Sequence, residues 1–141
     1  MMQQPSKSAA TIHVVQEATQ LVFHCAQCQL PVTQPVRALP EDFRLNTARG
    51  EDSIAQGYYT LGDWEQDPAV KDHFILNLSD LVNTQLHRDP KRLNGCCGLD
   101  GLDGINTVCS NGHEIGTECS DCWMAHYVHL DPSLVTMDAV S

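Results

Sequence analysis

Two cysteines separated by two residues, Cys25 and Cys28, set the terms for this chain. Thiolates at that spacing reach one tetrahedral Zn²⁺ from a single tight turn, with Zn–S distances of about 2.3 Å. The rival reading is a thioredoxin-like redox pair, which needs its first cysteine at a helix N-terminus where the dipole lowers the thiol pKa. The following residues, Gln29-Leu30-Pro31-Val32-Thr33-Gln34-Pro35, cannot make that helix. Zinc is therefore the favoured reading. The chain holds seven cysteines in 141 residues. An odd number leaves a thiol over after any full set of bridges, and in a reducing compartment such a density points to metal ligation before disulfides.

A closed structural site takes four protein ligands, so Cys25 and Cys28 must be completed from the C-terminal half. Three completions compete. Cys119-Ser120-Asp121-Cys122 is a second CxxC. Cys109-Ser110-Asn111-Gly112-His113 places a cysteine and a histidine on either side of a hairpin turn. Cys96-Cys97-Gly98 offers a thiolate followed by a glycine that lets the backbone turn tightly. The set expected from this reading is Cys25, Cys28, Cys97 and Cys109, with Cys119, Cys122 and His113 as a second rank. Seven cysteines plus His113 make eight ligands, enough for one zinc ion with bystanders or for two zinc ions. A second-rank cysteine outside any site would be a buried thiol acting as a small hydrophobe.

The rest of the sequence reads as mainly β (α+β): a loop-rich, zinc-ribbon-like single domain over 11–141, with one or two short helices, behind a flexible N-terminus at 1–10. Strands are expected at Thr11–Gln16, Gln20–His24, His73–Leu78, Tyr127–Leu130 and Leu134–Met137. Asn111-Gly112 marks a tight hairpin between Ile105–Cys109 and His113–Thr117. Ser79–Leu86, with an N-cap candidate and apolar residues at 81, 82 and 86, is expected to be a short helix. Pro31, Pro35 and Pro40 leave Val32–Leu39 as an edge strand or extended loop. Residues 41–72, rich in Asp and Glu with little periodicity apart from a short aromatic stretch at Tyr58-Tyr59-Thr60-Leu61, are expected to form a solvated acidic excursion.

Charge narrows the function. Eighteen Asp and Glu against eight Lys and Arg give a net charge of -10, which repels phosphate backbones and suits a basic protein partner better than nucleic acid. No apolar run approaches the length of a membrane helix and the first residues lack a signal peptide's apolar core, so a cytoplasmic protein with no membrane partner is expected. Familiar catalytic signatures fail on inspection. His113-Glu114 has Thr117 where the zincin motif needs a second histidine. The zinc-deaminase motif, the phosphate-binding loop and the nucleophile elbow are missing. Asp100 and Asp103 suit turn chemistry better than calcium. His126 and His129, three apart on a strand, are expected on opposite faces.

The runs Phe74–Val82, Arg92–Gly101 with its Gly-Cys-Cys-Gly-Leu-Asp-Gly, and Ser120-Asp121-Cys122-Trp123 resemble small bacterial proteins of unknown function with a zinc-ribbon look. From the first of these runs to the last, that resemblance spans about a third of the chain. It implies a compact bacterial cytoplasmic protein and brings no activity with it. The function expected is a small non-enzymatic zinc module that docks a protein partner through its acidic surface. The alternative is a zinc- or thiol-dependent enzyme with an open metal position or a reactive cysteine.

Overall fold

The computed structural model describes residues 19–63 and 68–140. The expected N-terminal flexible stretch at 1–10 and the strand at Thr11–Gln16 lie outside them. Nine strands run in chain order: β1 Leu21–Cys25, β2 Arg37–Ala38, β3 Tyr58–Leu61, β4 Phe74–Leu76, β5 Thr84–Leu86, β6 Thr107–Cys109, β7 Glu114–Cys119, β8 Tyr127–Leu130 and β9 Val135–Ala139. Seven of them form one sheet in the order β2-β3-β4-β8-β7-β6-β5, antiparallel except for the β2–β3 pair. The other two, β1 and β9, form an antiparallel ribbon with Cys25 opposite Val135.

Side-chain alternation decides how the layers meet. Along β4, Leu76 joins a core cluster with Phe23, Cys25, Val32, Val36, Cys109, Ile115, Val128, Leu130 and Val135. Its neighbour Ile75 packs on the opposite side with Ile54 and Val70. A strand covered on both faces reads as a continuous apolar run, which is what Phe74-Ile75-Leu76 is. The first cluster lies between the ribbon and the large sheet. Its centre is Phe23, fully buried, with ring centroids 4.9 Å from Phe74 and 5.6 Å from Tyr59. Two of the ten residues filling this core are cysteines.

The expected α+β architecture with short helices, and with it the zinc-ribbon-like fold, is corrected by these elements. Among the described residues there is no α-helix, only three single turns of 3₁₀-helix at Pro68–Val70, Leu78–Asp80 and Pro90–Arg92. The segment expected to be helical starts as one: Asn77 caps the turn by accepting from the Ser79 N–H at 2.8 Å. Leu81 is already extended, and Asn83 takes a positive φ of 54°. The chain then leaves as β5 to pair Thr84 with Cys109, so sheet pairing overrides the weak helical periodicity. Most described residues of the acidic excursion are exposed, but the stretch is not loop throughout. Residues 41–72 contribute β3 to the sheet and bury Ile54 and Val70.

Candidate metal centre

Two hairpin tips converge where the ribbon meets the sheet. The first follows β1. Residues 30–36 return alongside β1, with Val32 N–H donating to Phe23 O and Val36 N–H to Leu21 O, both at 2.8 Å. The tip is closed by Cys25 N–H to Leu30 O and Gln29 N–H to Cys25 O, also 2.8 Å each. Gln29 takes a φ of 62° to complete the turn. The second tip joins β6 to β7. Cys109 N–H donates to His113 O and Gly112 N–H to Cys109 O, both at 2.8 Å. Gly112 stands at a φ of 88°, a conformation only glycine adopts without strain. Two cross-links hold the tips in place: Ser110 N–H donates to Asn83 O at 2.8 Å, and the Asn83 amide donates to Pro31 O at 2.9 Å.

This convergence brings together Cys25, Cys28, Cys109 and His113, whose donor atoms all lie within 4.8 Å of one another. Cys28 Sγ is 3.8 Å from Cys109 Sγ. His113 Nδ1 is 3.6 Å from Cys25 Sγ and 3.5 Å from Cys109 Sγ. A tetrahedron with Zn–S of about 2.3 Å and Zn–N of about 2.0–2.1 Å has S···S edges of about 3.8 Å and S···N edges of about 3.6 Å. The three measured separations match those edges. The group could hold a metal ion, with Cys25 and Cys109 fully buried and Cys28 and His113 half-buried.

The surroundings treat the two N-terminal thiols differently. The Asn111 amide donates to Cys28 Sγ at 3.3 Å. That bond, with help from the Leu30 N–H, brings the Cys28 thiol down to about 6. Cys28 is thus a thiolate near neutrality, the form a metal requires. Cys25 is pushed up by burial, which outweighs the Cys28 and Gln27 N–H groups that point at its sulfur. A cation bound beside it would offset that burial penalty.

The sequence-expected ligands divide between this group and a second one. Cys97 lies away from Cys25, Cys28 and Cys109, beside Cys96 and Cys122, and these three sulfurs also fall within 4.8 Å of one another. All three residues are exposed. Cys96 Sγ and Cys97 Sγ stand 3.9 Å apart. No disulfide joins any of the seven cysteines. Crowding by Cys122 and then Cys96 pushes the Cys97 thiol up to about 12. His113, of the second rank, takes the fourth corner of the first group. Cys119 is buried on β7 outside both groups, against Gly101, where an added Cβ would lie 2.7 Å from its sulfur. His126 lies just before β8 and His129 on it, and their partners differ: the His126 ring binds Asp121 O at 3.0 Å, while His129 Nδ1 lies 2.9 Å from His73 Nδ1.

Asp121 is the residue that sequence reasoning passed over. Its carboxylate is 1% exposed. It accepts the N–H of Cys96 at 2.9 Å, of Cys97 at 2.9 Å and of Cys122 at 2.8 Å, plus the Trp123 indole N–H at 3.0 Å. Those donors, Cys96 first, hold its carboxyl far below the usual carboxylate range. An Asp directly before a cysteine in a turn was the available signal, since such side chains accept from nearby backbone N–H groups.

Comparison with known proteins gives no matching family model, no matching curated protein and no matching solved structure. Among the described residues no helix is long and apolar enough to cross a membrane.

Proposed function

We propose that the chain is a zinc-stabilised β-sheet module in which Cys25, Cys28, Cys109 and His113 hold one structural Zn²⁺. The observation that carries this reading is the match between the S···S and S···N separations of the group and the edges of a zinc tetrahedron. Four protein donors complete the shell, whereas a catalytic zinc keeps a position for water. The ion would tie the tip of the β1 hairpin to the β6–β7 turn and so fasten the two-stranded ribbon to the large sheet. The net charge of -10 supports docking to a basic protein partner by long-range attraction, an interaction that weakens as salt rises. Seven thiols outside disulfides suit a reducing compartment such as the cytoplasm.

Native mass spectrometry of freshly purified protein, with and without a chelator, tests the assignment. The expected result is one zinc per chain, lost together with the narrow charge-state distribution of the folded protein when chelator is added. A folded chain that carries no metal would overturn it.

A further inference from the structure

The exposed thiol group is built as deliberately as the buried one. Its three cysteines come from two loops, Gly95–Gly98 and Ser120–Trp123, that lie in close contact. A Cβ added at Gly98 would stand 2.3 Å from Ser120 O on the other loop, and one at Gly95 would stand 1.7 Å from Gly98 O within its own loop and 3.0 Å from Asp121 Oδ2. Only glycine permits that approach. The buried Asp121 carboxylate takes the backbone N–H of Cys96 and Cys97 across the contact and that of Cys122 within its own loop. One side chain thereby fixes the backbone that carries three thiols, whose sulfurs lie within 4.8 Å of one another.

We propose that Cys96, Cys97 and Cys122 form a second, solvent-facing site that takes a thiophilic monovalent cation of the Cu(I) type through three thiolates. The donor set decides the chemistry. Among the described residues no histidine or carboxylate joins the three sulfurs. The Asp121 carboxylate, which bonds the backbone of all three cysteines, has both oxygens occupied by N–H donors. A set of sulfur alone selects soft cations, and hard ions that need oxygen are excluded. A cation about 2.3 Å from each sulfur, the ordinary metal–thiolate length, spaces the sulfurs about 4.0 Å apart in a trigonal plane. Cys96 and Cys97 already stand at 3.9 Å. Because all three residues are exposed, the ion can enter and leave without unfolding the sheet. Asp121 is a positioning residue that acts on the site through the backbone.

The test is an anaerobic titration of zinc-loaded protein with Cu(I) buffered by bicinchoninate, following copper uptake and zinc release together. The expected result is one Cu(I) taken up per chain with zinc retained. Cys97→Ser and Cys122→Ser should each weaken uptake at least tenfold, still with zinc retained. Retained zinc shows that each variant is folded and that the buried centre is intact, which separates failure here from failure of the structural-zinc reading. Asp121→Asn should weaken copper uptake without removing a sulfur. Copper taken up only with equal release of zinc, uptake unchanged in both serine variants, or no uptake by the zinc-loaded protein would each overturn the proposal.

Discussion

The two thiol groups are made of the same chemistry and differ in where the fold puts them. Cys25, Cys28, Cys109 and His113 stand on two hairpin tips whose strands carry the main core, and two of the four are core residues themselves. Cys96, Cys97 and Cys122 stand on exposed loops and are held by a single carboxylate. The first group offers four donors, two of them buried, enough to complete a coordination shell; the second offers three, all exposed. Cysteine content alone therefore says little about role. Burial and the number of converging donors separate a site that holds a structure together from one that can exchange its ion.

Breaking the buried centre should have the largest effect. Cys109→Ala removes a ligand and a core side chain at once. Structural zinc contributes on the order of 10 kcal/mol, comparable with the whole stability of a typical domain, about 5–15 kcal/mol. The expected outcome is loss of zinc and of the folded circular-dichroism signal at 25 °C. Next comes Phe23→Ala, which empties the position between Phe74 and Tyr59. It should cost about 3–5 kcal/mol in denaturant unfolding while leaving one zinc per folded chain. Because Phe23→Ala damages the core and spares every donor, it shows how much of the Cys109→Ala loss core damage alone explains.

Gly112→Ala should be milder. An added Cβ meets nothing within 4 Å, but the φ of 88° remains, so the expected loss is about 1 kcal/mol from backbone strain alone. Smallest is Cys97→Ser. At an exposed position it should shift stability by no more than about 0.5 kcal/mol and leave zinc stoichiometry at one. A large destabilisation by Cys97→Ser would erase the contrast between the two groups.

Much of the buried centre was legible because its signals are local. The CxxC at 25–28 and the Asn-Gly turn between Cys109 and His113 are short patterns with a physical meaning, and the structure builds a hairpin tip on each. The strand at Tyr127–Leu130 was equally plain. Other features depended on distant partners. Cys97 was grouped with Cys25 because Gly98 permits a tight turn. That same glycine instead lets the loop press against Ser120, where Asp121 draws Cys96 and Cys97 towards Cys122. The helix expected over Ser79–Leu86 rested on three apolar positions, too few to outweigh the pairing of β5 with β6. In residues 41–72 the charges hid Ile54 and Val70, single buried residues that no periodicity announces.

Zinc K-edge X-ray absorption on the freshly purified protein tests the central assignment most directly. A shell of three sulfurs at about 2.3 Å and one nitrogen at about 2.0 Å, reduced to two sulfurs or lost in Cys25→Ser, is the predicted result. Four sulfurs, or a shell of oxygen and nitrogen only, would contradict it.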